Sequence, residues 1–323
     1  MIILTGGAGF IGSVLLKRLN DEGHTNILIV DSLDSSDKWK NLAGKQFDDY
    51  CHKDHFLEYL EEDLDKDDVE AIIHLGACTS TTELDVDYLM SNNYHFSKEL
   101  AEWSIWAEKP FIYASSASTY GDGTNGFSDD NAKIHSYRPL NAYGYSKHIF
   151  DEWLVNNGYD ELCTGFKFFN VFGPNEYHKE NMSSLVYKAY NQVLETGKLK
   201  LFKSSDPNYK DGEFSRDFIY VKDCVDVLMW SFNNPSVKGI FNLGTGQARS
   251  WNDLASSLFI AMGREKKIEY IDMPLEIRSA YQYFTEAEMG KLREAGYSAS
   301  FSDLENAVSD YVQGYLMQPQ PYL

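Results

Sequence analysis

Short, mainly apolar runs alternate along the first half of the chain with longer segments whose apolar positions recur every three or four residues. The runs at 2–4, 26–30, 69–75, 110–114 and 164–169 are predicted to be buried strands, and the segments between them are long enough for helices. Strands that alternate with helices predict a parallel, doubly wound α/β sheet. Since such sheets bind ligands beyond the carboxyl ends of their strands, we expect functional residues directly after these runs.

The first run leads directly into a glycine-rich turn. The sequence GAGFIG, which ends at Gly12, fits the pattern G-x-G-x-x-G, and Gly6 and Gly9 extend it as a glycine at every third residue. Residues 10–20 have helical periodicity, so the turn joins a strand to a helix. Asp31 ends the second run, 19 residues beyond Gly12, where a dinucleotide-binding fold places the acid that faces the adenosine ribose. The glycines alone also fit an ordinary turn, but this order of elements predicts a dinucleotide site.

A tyrosine, a lysine and a serine are the candidate catalytic groups. Tyr143 and Lys147 stand four residues apart in a segment predicted to be helical over 141–157, so their side chains share one face. A free tyrosine, with a pKa of about 10, is a poor base, but a neighbouring ammonium favours its phenolate. Ser116 ends a predicted strand and can hydrogen-bond the same substrate oxygen, which suits removal of an alcohol proton as hydride leaves. For the tyrosine and lysine alone, ordinary amphipathic packing is the alternative.

Composition and charge exclude several classes of function. The chain has 323 residues, of which 43% are hydrophobic and 24% are charged, as expected for a globular protein. Its formal net charge of −20 argues against nucleic acid or an anionic membrane surface as a partner. The sequence has no recognisable signal peptide, no apolar run of the roughly 20 residues that span a membrane, and no metal-ligand spacing among its cysteines. We therefore expect a cytoplasmic protein without a bound metal.

The regular alternation weakens after Pro174, although runs at 218–221 and 240–243 indicate later strands. This change predicts a second, smaller domain over the sheet, with the chain crossing between the domains more than once. The predicted boundaries are 1–172 for a Rossmann domain, which also receives about 217–247, and 173–216 with 248–323 for a smaller α/β substrate domain.

Five segments together resemble one protein family: TGGAGFIG, YASSASTYG, YGYSK, RDFIYV and FNLGTG. They are typical of the extended short-chain dehydrogenase/reductases that modify nucleotide sugars. The resemblance runs nearly end to end, and GACTSTTE, NEYHK, IEYIDMP and YQYFTEAEM are similar to segments of the family members that epimerise an ADP-linked heptose. It implies NADP that stays bound throughout turnover. One hydride then leaves the exocyclic carbon 6 of the sugar, a ketone forms, and the same hydride returns to the other face.

The resemblance assigns the catalytic roles residue by residue. Tyr143 matches one acid/base of the family, and Ser116 and Lys147 match its supporting pair. Lys179 matches a second acid/base that serves the opposite configuration, which is reasonable because inversion presents the hydroxyl from two sides. Without the resemblance, Lys179 would be interpreted as a lysine of a surface loop.

Cofactor contacts are carried over to the glycine turn and to the strand ends. Asp31 would normally accept hydrogen bonds from the ribose hydroxyls of NAD and repel a 2′-phosphate. The resembling enzymes nevertheless use NADP, with lysines that match Lys38 and Lys53, so we predict NADP rather than NAD. Ser32 stands where the family usually has asparagine. The predicted cofactor residues are Gly6, Gly9, Phe10, Ile11, Gly12, Asp31, Ser32, Lys38, Lys53, Leu75, Gly76, Ala77, Cys78, Thr79, Asn92, Lys147, Val171 and Lys179.

Substrate contacts are carried over in the same way, and Arg216 is the best founded because a guanidinium can bind diphosphate oxygens in bidentate fashion. The chain departs from the family at Asn181, where serine is usual, and at Lys188, where histidine is usual. Residues 211–213 also lengthen the loop before Arg216. The predicted substrate residues are Ser116, Asn170, Asn181, Lys188, Phe202, Lys203, Ser204, Ser205, Arg216 and Tyr281.

The sequence leaves alternatives open. A carbon-4 epimerase or a 4,6-dehydratase would use the same scaffold, although a dehydratase needs an acid pair after the strand-end hydroxyl, and Ser116 is followed by Ala117, Ser118 and Thr119. A non-catalytic cofactor-sensing protein would keep the glycine turn and lose the tyrosine. The expected partners are a nucleotide sugar, ADP-heptose by resemblance, and further copies of the chain, which the resembling enzymes assemble into rings of five.

Overall fold

The structure is a computed structural model that describes residues 1–274 and 282–323. Its strands, in chain order, are β1 (Ile2–Thr5), β2 (Ile27–Asp31), β3 (Asp49–His52), β4 (Ala71–His74), β5 (Phe111–Ser116), β6 (Thr164–Phe168), β7 (Asn170–Phe172), β8 (Leu199–Phe202), β9 (Ser215–Tyr220), β10 (Gly239–Leu243), β11 (Ala248–Ser250) and β12 (Ile268–Ile271).

The described α-helices are α1 (Phe10–Asp21), α2 (Lys53–Glu62), α3 (Val86–Leu89), α4 (Phe96–Trp106), α5 (Ala142–Asn156), α6 (Leu185–Thr196), α7 (Val221–Asn233), α8 (Trp251–Ala261), α9 (Gly290–Glu294) and α10 (Leu304–Tyr311). Within the described ranges, no helix has the length and apolar character needed to cross a membrane. Short 3₁₀ helices include Asp37–Asn41, Ala117–Tyr120 and Tyr177–Met182, and a π-helical turn, Met90–His95, joins α3 to α4.

A seven-stranded parallel sheet forms the centre, in the order β10-β6-β5-β4-β1-β2-β3. Both of its faces are buried: in β1, Ile2 and Leu4 belong to one hydrophobic cluster and Ile3 belongs to another. A strand covered on both faces has no solvated side, which is why β1, β2 and β4 are mainly apolar in the sequence. The predicted doubly wound α/β fold is therefore confirmed.

The strand order reverses beside β1. From β1 the chain continues to β2 and β3 on one side, then crosses back to β4 and continues to β5 and β6 on the other. Connections that leave the adjacent carboxyl ends of β1 and β4 in opposite directions leave a crevice between them, which is the usual ligand site of such sheets.

Smaller sheets accompany the central one. β7, β9 and β11 form a three-stranded sheet, and β8 pairs in parallel with β12. The strand predicted at 218–221 is β9, but it pairs with β7 and β11 and not with the central sheet. The chain returns to the central sheet through α7 and β10, which pairs with β6. The domain boundaries drawn from the sequence stay a prediction.

Candidate active site

A cavity of about 1150 Å³ lies where the strand order reverses. The carboxyl ends of β1, β2, β4, β5 and β6 line it, together with residues from α6, β9 and α8. The cavity therefore extends from the crevice of the central sheet to the smaller sheets.

The glycine turn lies so close to the first turn of α1 that Gly12 has no room for a Cβ. Gly6 has a φ of +71°, the amide of Gly9 donates to the carbonyl of Gly6 at 2.9 Å, and a Cβ at Gly12 would lie 2.1 Å from that same oxygen. The first turn of α1 lines the cavity, so its free amides and the positive end of the helix dipole are available to a pyrophosphate. This cradle fits a dinucleotide.

We expect Gly12→Ala to remove most of the bound nucleotide from the purified protein. The added Cβ would overlap the Gly6 carbonyl and push the first turn of α1 away from the glycine turn. Gly290→Ala is the matched control, because a Cβ there meets nothing within 4 Å. Nucleotide released by denaturation and quantified by chromatography measures the effect. Equal nucleotide content in both variants would contradict this account of the turn.

Asp31 is the acid at the end of β2, and its carboxylate is engaged within the protein. It is 6% exposed and accepts from the amide of Ala8 at 2.8 Å and from the amide of Ser32 at 2.7 Å. The ammonium of Lys38 forms an ion pair with it and also donates to the carbonyl of Ser32 at 3.0 Å. A carboxylate compensated in this way repels a nearby phosphate less than a free one would.

Lys53 and Asn92 meet at the same end of the cavity. The Lys53 ammonium donates to Asn92 Oδ1 at 2.6 Å and lies 5.6 Å from the centroid of the Tyr88 ring. All of the cofactor residues predicted from the sequence line this one cavity. Their contacts with a cofactor stay a prediction.

Helix α5 carries Tyr143 and Lys147 to the end of β5. The helix begins where Asn141 Oδ1 accepts from the amide of Gly144 at 2.7 Å. Gly144 packs against the turn after β5 so closely that a Cβ would lie 2.7 Å from the Ser118 carbonyl oxygen. This close approach brings the tyrosine of α5 to the serine that ends β5.

Ser116, Tyr143 and Lys147 are all buried and all line the cavity. Lys147 Nζ donates to the carbonyl of Ala114 at 2.9 Å, which fixes the ammonium beside the end of β5. Burial raises the pKa of the Tyr143 phenol, and a hydrogen bond with Ser116 opposes that rise. Burial lowers the pKa of Lys147 to about 8, so near neutral pH most of this group is still the cation that favours a phenolate.

Lys179 reaches the same cavity from the 3₁₀ segment Tyr177–Met182. Its ammonium lies 5.7 Å from the centroid of the Phe10 ring, at the start of α1. Burial lowers the pKa of Lys179, while the carboxylate of Glu176 opposes the shift. A lysine with a lowered pKa can both give and take a proton nearer to neutral pH, which a fully solvated lysine does poorly. The neighbouring His178 is held by Asn41, whose Nδ2 lies 3.3 Å from its Nδ1.

The predicted substrate residues divide into two groups. Ser116, Asn170, Lys188 and Arg216 line the cavity, but Asn181, Phe202, Lys203, Ser204 and Ser205 do not. The ammonium of Lys203 pairs with Asp272 at 3.1 Å, and the amide of Ser204 donates to Asp211 within its own loop at 2.8 Å. Tyr281 lies outside the described residues. The roles of these positions in substrate binding stay predictions.

The two positions that depart from the family contact each other. Lys188 Nζ donates to the backbone carbonyl of Asn181 at 2.6 Å. The lysine is therefore hydrogen-bonded to the segment that carries Lys179.

Some residues of the cavity carried no signal in the sequence. Ser36, His52 and Tyr88 line it. His52 ends the edge strand β3, whose sequence DYCH is too short and too polar to stand out as a strand. The described residues contain no group of three or more side chains able to hold a metal ion.

Comparison with known proteins gives a consistent set of relatives. Residues 2–244 match the NAD dependent epimerase/dehydratase family. The chain is 52% identical over 324 residues to an ADP-L-glycero-D-manno-heptose-6-epimerase of Nitratidesulfovibrio vulgaris, covering 100% of both chains. It is 46% identical over 334 residues to the enzyme of the same name from Fusobacterium nucleatum, again covering 100% of both.

Solved structures agree with this likeness. The structure is similar to the Helicobacter pylori ADP-L-glycero-D-manno-heptose-6-epimerase, with a TM-score of 0.81 and 29% identity, covering 97% of this chain and 95% of that one. A UDP-glucose 4-epimerase of Thermotoga maritima matches with a TM-score of 0.77 at 24% identity, covering 97% of each chain, and at that identity shows the shared fold alone.

Proposed function

The chain belongs to the NAD dependent epimerase/dehydratase family, and from this membership we propose that it converts ADP-D-glycero-D-manno-heptose to ADP-L-glycero-D-manno-heptose by inverting carbon 6. The product would supply heptose to the inner core of lipopolysaccharide. One observation carries the proposal: Tyr143 and Lys179, from two separate elements, line the same cavity in a chain that matches full-length relatives of this name at 52% and 46% identity.

The residues of the site divide the work of inversion. In one direction the Tyr143 phenolate, stabilised by the Lys147 ammonium, takes the proton of the carbon-6 hydroxyl as hydride leaves that carbon and a ketone forms. Ser116 donates a hydrogen bond to the same oxygen. The Lys179 ammonium then protonates the ketone oxygen as hydride returns to the opposite face. Carbon 6 lies outside the sugar ring, so rotation about its bond to carbon 5 is enough to present either face.

A nicotinamide dinucleotide is the cofactor of this family, and when bound it supplies the hydride acceptor and the returning hydride. The glycine cradle and the first turn of α1 would hold its pyrophosphate, and Asp31, Lys38 and Lys53 would lie at its adenosine end. A nucleotide sugar is the substrate, and Arg216 on β9 is the residue we assign to its diphosphate.

We infer that the dinucleotide is NADP. The carboxylate of Asp31 is already engaged by two backbone amides and by Lys38, which supports tolerance of a 2′-phosphate beside it. Lys53 supplies a second positive charge, directly after His52, the residue of β3 that pairs with Asp31. Each charge-assisted contact to the 2′-phosphate is expected to contribute roughly 1.5–3 kcal/mol.

We expect nucleotide extracted from the purified protein to be mostly NADP, and Lys53→Met to weaken NADP binding by about 10- to 100-fold. Affinity for NAD should change little, because NAD has no phosphate at that position. Lys66→Met removes a lysine that lies 5.1 Å from the Trp106 ring, away from the cavity, and serves as the control for lost charge. An extract that contains mostly NAD would contradict this prediction and would mean that Asp31 selects NAD, as an acid in this position usually does.

The direct test of the proposed function is incubation with each carbon-6 epimer of ADP-glycero-manno-heptose, followed by the configuration of the product. Conversion of either epimer to a mixture of both is expected. UDP-glucose, assayed for inversion at carbon 4, tests the rival carbon-4 epimerase. Absence of both reactions in a protein that carries bound nicotinamide, seen in its ultraviolet spectrum, would favour the cofactor-sensing alternative.

The remaining expectations concern assembly and location. We infer a homo-oligomer, a pentamer by family resemblance, in the cytoplasm, and both stay predictions.

A further inference from the structure

The segment 321–323 packs on the residues that directly precede Lys179. The hydroxyl of Tyr177 donates to the carbonyl of Pro321 at 2.6 Å. The ring of Tyr322 meets the ring of Tyr177 edge-on, with centroids 5.2 Å apart and planes at 88°. These contacts join parts of the chain that lie 144 residues apart in sequence.

Asn175 is the centre of a second set of contacts with this segment. It is 0% exposed and has a φ of +75°, which a residue with a side chain rarely adopts. Its Oδ1 accepts from the amide of Leu323 at 2.9 Å, and its Nδ2 donates to Ser13 Oγ on α1 at 2.9 Å. Its carbonyl accepts from Asn41 Nδ2 at 3.1 Å. The unusual backbone conformation is thus held on three sides, one of them supplied by the segment 321–323.

Asn41 and Lys45 link these contacts to the glycine turn. Asn41 Nδ2 also donates to the carbonyl of Ala8 at 2.9 Å, between the glycines. The ammonium of Lys45 donates to the carbonyl of Asn41 at 2.7 Å and to the carbonyl of Leu323. The segment 321–323, the residues before Lys179 and the glycine turn are therefore joined by one continuous set of hydrogen bonds.

The backbone of Lys179 is hydrogen-bonded to Glu176, which lies between Asn175 and Tyr177. Its amide donates to the carbonyl of Glu176 at 3.0 Å, and the buried Glu176 carboxylate accepts from Ser184 Oγ at 2.7 Å. Directly after it, Glu180 has φ +46° and ψ −118°, outside helical values. A strained residue persists only where its surroundings hold it in place, and the Glu180 carbonyl accepts from the amide and the hydroxyl of Ser183, at 3.2 and 2.7 Å. On the other side, Lys179 is held by the backbone of Glu176.

We propose that the segment 321–323 is a clamp that positions Lys179 for proton transfer, with Asn175 and Tyr177 as the positioning residues on the loop. This inference rests on the proposed function, in which Lys179 is the second acid/base. Within the described residues, no hydrogen bond joins the clamp to Tyr143 or Ser116, and it reaches the glycine turn indirectly, through Asn41. In protein that keeps its bound nucleotide, releasing the clamp should therefore slow one half of the inversion more than the other.

Deletion of 321–323 is the first test, carried out on the protein with its bound nucleotide. Cofactor reduction by each heptose epimer is followed in single turnovers, beside the wild type and Lys179→Met. Lys179→Met is expected to lose one of the two half-reactions. We expect the deletion to slow that same half-reaction by about tenfold, because small misplacements of a reacting group are costly. The rate of the other half-reaction should stay within about twofold of the wild type. A clamp with only a structural role would slow both half-reactions alike, and that result, or no change in either, would overturn the proposal.

Tyr177→Phe and Tyr190→Phe form a matched pair that does not depend on the deletion folding. Each removes one hydroxyl that donates to a backbone carbonyl near the end of the described chain, Pro321 at 2.6 Å in one case and Leu316 at 3.0 Å in the other. We expect Tyr177→Phe alone to slow the Lys179-dependent half-reaction, by about threefold for one neutral hydrogen bond. Equal behaviour of the two variants would overturn the clamp. If Lys179→Met alters neither half-reaction, Lys179 is not an acid/base and the clamp proposal is overturned with it. If Lys179→Met is defective but the clamp variants behave like the wild type, only the clamp proposal is overturned.

Discussion

Tyr143→Phe is expected to lower the rate of epimerisation by roughly 10²–10⁴-fold while the protein keeps its bound nucleotide. Phenylalanine fills the same buried space on α5 but has no hydroxyl to take or return a proton. Because Ser116 and the Lys147 ammonium remain, binding of cofactor and sugar should change little. The measurement is the steady-state rate with either epimer, together with nucleotide content.

Tyr145→Phe is the matched control for that variant. Tyr145 lies on the same helix two residues further on, is 45% exposed, and does not line the cavity. Removing its hydroxyl should leave the rate near that of the wild type. If Tyr143→Phe retained activity within about threefold of the wild type, the phenol would have no part in proton transfer, since general acid–base groups contribute far more than that.

The central sheet was predictable from the sequence because its strands are buried on both faces. Ile2, Ile3 and Leu4 all face hydrophobic clusters, so the strand has no polar position to interrupt the run. β3 shows the opposite case, since it lies at the edge of the sheet and, among the described strands, pairs with β2 alone. Its residues Asp49–His52 are half-buried or exposed, and no apolar pattern marks them.

That Ser116, Tyr143 and Lys147 line one cavity was also predictable, for a topological reason. Ser116 ends a strand, and Tyr143 and Lys147 share one face of the helix that follows in the chain, so a doubly wound sheet brings them together without further information. The clamp was not predictable, because Asn41, Asn175 and Leu323 meet only in the folded chain. The segment 321–323 is short, has no periodicity and belongs to no motif, so its position depends entirely on tertiary contacts.

The prediction with the most diagnostic outcome concerns Lys179→Met. Methionine keeps the length and apolar bulk of the lysine stem, while the ammonium that lies over the Phe10 ring is removed. Epimerisation should be lost, by roughly 10²–10⁴-fold, because inversion needs a proton transfer at each face and only one acid/base remains. Lys98→Met on α4, which removes an ammonium 3.7 Å from Glu102 outside the cavity, controls for the lost charge.

Measuring the two half-reactions separately shows whether Tyr143 and Lys179 act on opposite faces or as one catalytic unit. With Tyr143 present and Lys179 absent, cofactor reduction should persist for the epimer whose hydroxyl Tyr143 serves, and Tyr143→Phe should show the opposite preference. Residues that act together on one face would lose the same half-reaction, as groups of one catalytic unit do. If Lys179→Met epimerised normally, Lys179 would have no part in proton transfer and would only lie beside the cofactor. The lowered pKa of Lys179, caused by burial, favours the two-base mechanism, because a base must be available unprotonated near neutral pH before it can accept the alcohol proton.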